Sequence, residues 1–167
     1  MEDQATVQRP ITYQPIGVIR SPFKTIKNMP IQPTGASGVP GEIQIFDRYA
    51  AGLKDLDGFS HLILIYHFHL VQGYHLQVTP FLDQVERGLF ATRAPKRPNA
   101  VGLSIVRLLS VTGNTLEVID LDIVDGTPLL DLKPYVPQFD AHGEARIGWM
   151  ADRLERLDLV RSDDRFR

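Results

Sequence analysis

Residues 101–124 of the chain read VGLSIVRLLSVTGNTLEVIDLDIV and contain two apolar segments separated by a short polar turn. The segments are Val101–Val111 and Leu116–Val124, and both are rich in β-branched residues. Between them stands Gly113-Asn114, a dipeptide that favours the tight turn of a β-hairpin. The stretch therefore predicts two neighbouring antiparallel strands and a fold built largely from β-structure.

Strand-like segments continue on both sides of this hairpin. The strongest is Phe59–His69, a run of large apolar and aromatic residues interrupted by histidines. Shorter strands or extended segments are predicted at Tyr13–Arg20, Gly41–Phe46, Gly73–Thr79 and Leu129–Tyr135. Several short strands joined by loops are typical of a barrel or a curled sheet.

Helices are predicted in two places. One is a short helix within Asp47–Asp57, and the other is a long helix at Glu144–Val160, where apolar residues recur at helical spacing. The predicted fold class is therefore mainly β, a β-barrel with flanking short helices and a C-terminal α-helix. We expect a flexible N-terminal segment at 1–12, the barrel domain at 13–140, and the helix with its tail at 141–167.

The composition is that of an ordinary globular domain. The chain has 167 residues, 43% of them hydrophobic and 23% charged, which fits one domain with a substantial core. It contains no cysteine, so disulfides, thiolate metal sites and a cysteine nucleophile are excluded. The formal net charge of −2 requires any nucleic-acid surface to be a local patch. No signal peptide is recognisable, and we expect a soluble, cytoplasmic protein.

A basic segment precedes the hairpin. Arg87–Ser104 reads RGLFATRAPKRPNAVGLS and carries four cations, Arg87, Arg93, Lys96 and Arg97. Its two prolines disfavour helix and stiffen the backbone. The segment could be a solvated basic turn, but a solvated loop gains nothing from stiffness, whereas an anion site benefits from preorganised donors. We therefore favour a loop that binds a phosphate or a carboxylate.

Histidines are concentrated in and after the central strand. His61, His67 and His69 share one face of Phe59–His69, and His75 follows closely. Such a row can hold a metal ion. It can equally consist of partly buried histidines that are hydrogen-bonded to the backbone, which is the interpretation we favour, and we expect no metal.

Acidic residues mark the end of the hairpin. Asp120 and Asp122 are spaced to share one strand face, which we interpret as a solvated face. Asp125 differs because it begins the turn D-G-T-P, where backbone amides and a carboxylate come together.

A second polar group follows that turn. Asp131 and Lys133 are spaced to point the same way, and Tyr135 continues the row. They can form a surface ion pair worth about 0–1 kcal/mol, or an acid, a cation and a phenol that line a cleft near the D-G-T-P turn. The residues leave these two interpretations about equal.

Four motifs in the chain resemble those of the TrmO/YaeB-type proteins, a family of S-adenosylmethionine-dependent tRNA methyltransferases. They are IGVIRSPFK at 16–24, FSHLILIYHFH at 59–69, GLFATRAPKRPNAVGLS at 88–104 and DIVDGTPLLDLKPYVP at 122–137. The resemblance implies a single-sheeted β-barrel that works as a homodimer, with S-adenosylmethionine bound near the subunit interface. It also implies methylation of N6 of threonylcarbamoyladenosine, beside the anticodon of certain tRNAs.

The resemblance also assigns roles to residues that match the motifs. The cofactor contacts it implies are Gln32, Pro33, His69, Leu70, Arg93, Leu103, Asp125, Gly126, Thr127 and Pro128. The catalytic residues implied by D-x-K-P-Y are Asp131, Lys133 and Tyr135, and Asp131 or His69 is the expected general base. The expected contacts to the tRNA substrate are Arg87, Lys96, Arg97 and Asn99.

One departure from the family pattern leaves a second function open. Longer bacterial members carry an extra C-terminal domain, whereas this chain is expected to end in a helix and a short arginine-rich tail. Binding of S-adenosylmethionine is therefore a firmer expectation than tRNA specificity. The alternative is a non-catalytic dimer that binds S-adenosylmethionine as a sensor or interaction module.

Overall fold

A closed barrel of six antiparallel strands forms the fold in the computed structural model, which describes residues 9–30, 33–153 and 161–163. The strands of the chain are β1 (Gly17–Arg20), β2 (Pro40–Ile45), β3 (His61–His67), β4 (Gln77–Val78), β5 (Arg87–Gly88), β6 (Val101–Thr112), β7 (Thr115–Ile119) and β8 (Thr127–Pro134). Around the barrel the order is β1-β2-β7-β6-β3-β8, and pairing of β8 with β1 closes the ring. β4 and β5 form a separate two-stranded sheet. The predicted mainly β barrel is confirmed.

The hairpin of β6 and β7 forms as predicted around Gly113-Asn114. Gly113 has a φ of 61°, a left-handed conformation that glycine adopts without the steric cost of a side chain. The second strand, however, was predicted to reach Val124 and instead ends at Ile119. The reason is local, because Asp120 has a φ of 70° and turns the chain out of the sheet.

Alternation along the strands directs one row of side chains into the barrel. On β3, Leu62, Leu64 and Tyr66 are buried, while the residues between them are partly exposed on the outer face. The most completely buried side chains of the core come from all six barrel strands and the segment after β7, and include Ile19, Ile43, Leu64, Val106, Leu116, Leu121 and Leu129. The interior is a packed hydrophobic core.

The helices among the described residues are short. The 3-10 helices there are Pro33–Ala36, Asp47–Leu53, Leu56–Gly58, Leu89–Ala91 and Gly148–Met150, and an α-helix spans Pro137–Asp140. Two of them occupy the region Asp47–Asp57, where a short helix was predicted. Within the described residues no helix combines the length and the apolar character needed to cross a membrane.

The predicted C-terminal helix does not begin where the sequence pattern placed it. Residues 144–147 are not helical, and a single 3-10 turn at Gly148–Met150 follows them. Gly148 has a φ of 57°, which is incompatible with a continuous α-helix through this position. The remaining part of the prediction, residues 154–160, lies outside the described residues.

Two other predicted strands are shorter than expected. Of Gly73–Thr79 only Gln77–Val78 is strand, and Gly73 has a φ of 66°, outside the extended region. The strand predicted from Tyr13 begins at Gly17, where pairing with β2 and β8 starts.

Candidate functional site

A cleft of about 680 Å³ lies beside the end of β3 and the start of β6. Its volume falls within the range of about 300–1,000 Å³ that is typical of small-molecule sites. Other walls come from the basic segment, from residues 122–124 and 127, and from the C-terminal residues 149–150 and 162–163. Much of the lining is aromatic or apolar and includes Phe68, Leu70, Phe90, Leu103, Trp149 and Met150.

The basic segment forms one wall of the cleft and is braced by its own hydrogen bonds. Arg97 donates from Nη1 to the carbonyl oxygens of Thr92 (3.1 Å) and Ala94 (3.2 Å). The Thr92 hydroxyl donates to the carbonyl oxygen of Leu89 at 2.8 Å and accepts from the Ala94 N–H. These bonds fix the turn that presents Arg93 at the cleft.

A buried carboxylate anchors the outer end of this segment. The side chain of Asp83 is only 3% exposed, and it accepts hydrogen bonds from Arg87 at 2.8 Å and from Arg153 at 3.0 Å. Burial acts to raise the pKa of Asp83, but the bonds from Arg87 and from the backbone N–H groups of Gln84 and Val85 lower it to about 2. Arg87 is therefore held by an internal partner.

The C-terminal residues are attached to the same wall. Trp149 donates its indole N–H to the carbonyl oxygen of Ala91 at 2.8 Å, and its ring stacks under Arg87 and Arg153. On the other side of the cleft, the Ser162 hydroxyl accepts a hydrogen bond from the N–H of Met29. Segments that are distant in sequence thus meet around one space.

A chain of three polar side chains forms part of the barrel wall of the cleft. The Tyr66 hydroxyl lies 3.0 Å from Ser104 Oγ, and the Ser104 hydroxyl donates to Asp122 Oδ1 at 2.7 Å. Burial, followed by the charge of Asp122, raises the pKa of Tyr66 above its ordinary value. Burial also raises the pKa of Asp122 to about 6, although the Ser104 bond and the charge of Arg93 oppose the shift.

Gly102 makes room for this chain. A Cβ at this position would collide with the ring of Tyr66 and lie 2.8 Å from the ring of Phe68. The two rings pack edge to face with their centroids 5.4 Å apart. The glycine of the motif A-V-G-L-S is therefore a packing requirement of the cleft.

The D-G-T-P turn contributes one residue to the lining. Asp125 points away and accepts from Lys24 Nζ at 2.9 Å and from the Ser21 N–H at 3.1 Å, and the Lys24 bond chiefly lowers the pKa of Asp125. Gly126 has a φ of 80°. Thr127 lines the cleft and donates its hydroxyl to the carbonyl oxygen of Val124 at 2.7 Å.

Among the histidines, only His69 lines the cleft. Its Nδ1 lies 3.4 Å from the Thr127 hydroxyl, and burial, followed by the charge of His67, lowers the pKa of His69. His67 Nδ1 contacts the carbonyl oxygen of Ala100, and His61 Nδ1 contacts the Ser60 hydroxyl. The described part of the chain holds no cluster of ligands for a metal ion.

The predicted cofactor residues are partly brought together. His69, Leu70, Arg93, Leu103 and Thr127 all line the cleft. The predicted residues that are not in its lining are Asp125, Gly126 and Pro128. Gln32 lies outside the described residues, and the backbone of Pro33 begins the 3-10 helix Pro33–Ala36.

Asp122 is the main polar residue that the sequence pattern missed. The interpretation of Asp120 and Asp122 as one solvated strand face is wrong, because the strand ends before both of them. Asp120 accepts from the Gly38 N–H at 2.7 Å and pairs with Arg107, whereas Asp122 lies in the cleft under Ser104. The alternation of Asp122 with the buried Leu121 and Ile123 gave no signal of its burial, because that pattern by itself predicts a solvated side chain.

The predicted catalytic residues lie outside the cleft of their own chain. Asp131 and Lys133 stand opposite Ile65 and Ile63 on the outer face of the barrel and form an ion pair of 2.7 Å. Tyr135 follows them, with its ring 6.2 Å from that of His61. The structure brings these three residues together, but not in the lining of the cleft.

The four residues predicted to contact the tRNA substrate have different surroundings. Arg87 and Arg97 are engaged within the basic segment, as described above. Lys96 lines a second, shallower pocket of about 420 Å³ beside β4, together with Glu86 and His75. Asn99 is exposed near the start of β6, and its carbonyl oxygen accepts from the Val101 N–H at 2.8 Å.

The fold and the cleft define a β-barrel protein with a site for a small molecule that carries both apolar and charged groups. Residues 18–141 match the family model for the tRNA-methyltransferase O N-terminal domain, and the chain belongs to this family. It is 50% identical to a probable S-adenosyl-L-methionine-binding protein of Pyrococcus abyssi, over 93% of this chain and 85% of that protein.

Two further relatives are longer proteins than this chain. It is 38% identical to the tRNA (adenine(37)-N6)-methyltransferase of Escherichia coli, over 75% of this chain and 57% of that enzyme. The crystal structure of TrmO from Pseudomonas aeruginosa superposes with a TM-score of 0.71 at 36% identity, and the match covers 84% of this chain and 63% of that one. The chain thus spans a little over half the length of these two relatives.

Proposed function

We propose that the chain is an S-adenosylmethionine-dependent methyltransferase that acts on tRNA, at N6 of an adenosine beside the anticodon. The observation that carries the proposal is the cleft, whose aromatic and apolar walls hold Arg93 and Asp122 within one small-molecule-sized space. S-adenosylmethionine has matching parts, namely an adenine, a carboxylate and a positively charged sulfur. The name of the Pyrococcus relative supports the same ligand, and the name of the Escherichia relative supports methyl transfer to tRNA.

The cleft residues divide according to the part of the methyl donor that they fit. Arg93 suits the carboxylate, because guanidinium and carboxylate groups form paired, charge-assisted hydrogen bonds. Phe68, Leu70 and Leu103 offer apolar surface to the adenine. The D-G-T-P turn supplies the Thr127 hydroxyl at the edge of the cleft.

Bound S-adenosylmethionine supplies a methyl group: the nitrogen lone pair forms a new N–C bond, the C–S bond breaks with its electrons left on sulfur, and the nitrogen loses its proton. Much of the acceleration in such a displacement comes from positioning. In threonylcarbamoyladenosine the accepting nitrogen belongs to a urea-like group, so a base is expected. His69 is the better placed of the two candidates, because it lines the cleft and its lowered pKa favours a neutral imidazole.

We also propose that the protein is a homodimer. The outer face of β6 exposes an apolar strip, with Val101 at 39%, Leu103 at 50% and Ile105 at 37% exposure. An exposed apolar strip of this kind is typical of an interaction surface. Since Leu103 also lines the cleft, a second copy docked on the strip would border the donor site.

The dimer gives Asp131, Lys133 and Tyr135 a route to catalysis. Asp131 and Lys133 lie on β8 and Tyr135 directly follows it, so that only β3 stands between β8 and the apolar strip on β6. On this arrangement they would serve the substrate at the interface between two copies.

The tRNA contacts are proposed chiefly at Lys96 and Asn99, with Arg87 and Arg97 fixing the shape of the segment that carries them. Phosphate contacts of this kind give binding that weakens as salt increases. A tRNA substrate also implies a cytoplasmic location.

A second candidate function is favoured by one observation. The Pyrococcus relative, which matches over most of both chains, is described only as a probable S-adenosyl-L-methionine-binding protein. A protein of that kind would bind the donor as a sensor without transferring the methyl group.

The test is a transfer assay with purified protein, radiolabelled S-adenosylmethionine, and tRNA with or without threonylcarbamoyladenosine. We expect label in the modified tRNA and none in the unmodified tRNA. The Asp131→Asn and His69→Gln variants separate the two candidate bases, and the exposed Arg48→Ala variant is the control for handling. Donor binding without transfer to either tRNA would favour the sensor.

A further inference from the structure

The hydrogen-bonded chain Tyr66, Ser104 and Asp122 has a fixed direction. Because the Ser104 hydroxyl gives its single hydrogen to Asp122, the Tyr66 hydroxyl is the donor in its bond with Ser104. Ser104 in turn donates to Asp122 Oδ1 at 2.7 Å. Both members behind the carboxylate are buried, with Ser104 at 2% and Tyr66 at 6% exposure. The chain therefore holds one carboxylate oxygen in place and supports the ionised form of Asp122.

The ionised carboxylate is nevertheless undercompensated by its surroundings. Burial outweighs the Ser104 bond and the charge of Arg93, so that the pKa of Asp122 stays well above that of an ordinary aspartate, at about 6. Asp83 provides the contrast within the same protein, since two arginines bond to it and its pKa falls to about 2. Asp122 is thus an anion in the cleft that a bound cation would stabilise.

The polarity of the site and its hydrogen-bond acceptors distinguish among the possible cations. An ammonium group needs several hydrogen-bond acceptors, whereas a sulfonium has no N–H or O–H to donate and is attracted by charge alone. The lining residues close to Asp122 in sequence, or close to its partner Ser104, include the apolar Gly102, Leu103 and Ile123, and Arg93 is the cation whose charge acts on the carboxylate. A single fixed carboxylate in such surroundings fits a cation that makes no hydrogen bonds.

We propose that Asp122 recognises the positive charge on the sulfur of the methyl donor, and that Ser104 and Tyr66 are positioning residues that hold its carboxylate in place. The assignment rests on the proposed function, and it names the group that tells the donor from its spent product. S-adenosylhomocysteine, the product, is a neutral thioether with the same adenine, ribose, ammonium and carboxylate. Asp122 therefore favours the donor and eases release of the product.

The test compares the two ligands by calorimetric titration at pH 7.5. We expect Asp122→Asn, which keeps the shape of the side chain, to weaken binding of S-adenosylmethionine at least tenfold while S-adenosylhomocysteine changes less than about twofold. Ser104→Ala should also weaken binding of S-adenosylmethionine relative to that of S-adenosylhomocysteine, but by a smaller factor. The matched control is Asp120→Asn, a neighbouring aspartate whose partners are Gly38 and Arg107, and it should leave both affinities unchanged.

The outcomes separate this assignment from the proposed function. Equal weakening of both ligands, or no weakening of either, in Asp122→Asn would overturn the assignment while wild-type binding leaves the proposed function standing. If wild-type protein bound neither ligand, the proposed function would fail and the assignment with it.

The pH dependence of binding gives a second readout. Protonation removes the charge of Asp122, so the wild-type affinity for S-adenosylmethionine should fall as pH drops below about 6, with that for S-adenosylhomocysteine nearly flat. This difference in pH dependence between the two ligands should vanish in Asp122→Asn. Its persistence in that variant would overturn the assignment. The other titratable or charged groups that line the cleft are Tyr66, His69, Arg93, Arg97 and Asp163. A His69→Gln background removes the one histidine among them.

Discussion

The indole N–H of Trp149 bonds to the carbonyl oxygen of Ala91 at 2.8 Å, and this bond joins the C-terminal residues to the basic segment within the lining of the cleft. Trp149 is the single tryptophan of the chain and lines the cleft. Its intrinsic fluorescence should therefore respond to the methyl donor.

A change in tryptophan fluorescence on addition of S-adenosylmethionine is the first prediction. Trp149→Phe keeps an aromatic ring but loses the indole N–H and its hydrogen bond. This loss should lower the free energy of unfolding by about 0.5–1.5 kcal/mol. Trp149→Ala also removes stacking with Arg87 and Arg153 and should bind the donor more weakly than Trp149→Phe does. Calorimetric titration of both variants checks the order, and equal affinities would contradict it.

Arg93→Ala should weaken donor binding. If its guanidinium pairs with the donor carboxylate, the loss should be about 1–3 kcal/mol in binding free energy, because bonds to charged groups lie at the upper end of hydrogen-bond contributions. Titration against S-adenosylmethionine and S-adenosylhomocysteine should show the same loss for both, since both carry the carboxylate. Arg48→Ala is the control, and unchanged affinity in Arg93→Ala would refute the pairing.

Gly102→Ala should destabilise the protein by displacing the Tyr66 ring that lines the cleft. The added methyl group collides with the Tyr66 ring, and overpacking of this kind costs about 1–3 kcal/mol of stability. Gly88→Ala is the matched control, because nothing lies within 4 Å of a Cβ built there. Thermal unfolding of the two variants measures the difference, and similar melting temperatures would show that the Tyr66 ring moves freely.

The acid stability of the protein should depend on Asp83. Its pKa in the folded protein is about 2, below the usual value near 3.8, so its contribution to stability is complete above about pH 4 and is lost as the pH falls toward 2. Asp83→Asn should be less stable at neutral pH and lose less stability over that interval. Urea unfolding at several pH values tests this. A variant with the wild-type pH slope would mean that other carboxylates dominate.

Ile105→Lys should shift the protein toward monomers. The substitution places a charge in the apolar strip of β6 without touching the cleft lining, which includes Leu103 but not Ile105. Thr112→Lys, at an exposed end of the same strand, is the control. Sedimentation velocity should show the monomer only for Ile105→Lys, and a wild-type monomer would dispose of the proposed dimer.

The sequence predicted most successfully those features that depend on neighbouring residues. Gly113-Asn114 marks a hairpin because the turn itself demands that chemistry, and Phe59–His69 marks a central strand by composition. The helix predicted from Glu144 does not begin there, because helical spacing of apolar residues does not reveal that Gly148 adopts a positive φ.

Partners distant in sequence decided what could not be predicted. Arg153 is one example, because its carboxylate partner Asp83 lies 70 residues away in the sequence. Asp122 looks solvated in the sequence, whereas in the structure it accepts a hydrogen bond from Ser104 of β6 and lies in the cleft. The resemblance located five lining residues, because motifs carry such distant relationships implicitly.

Closure of the barrel joins Gly17 of β1 to Leu129 of β8, residues that are distant along the chain. Contacts of such long range form late and slowly during folding. Thr127, at the start of β8, pairs with Ile19 of β1 and lies beside His69, so the closing seam of the barrel borders the proposed donor site. A methyl donor bound at this seam would stabilise the closed barrel by mass action, so the free energy of unfolding should rise with donor concentration and report occupancy of the site.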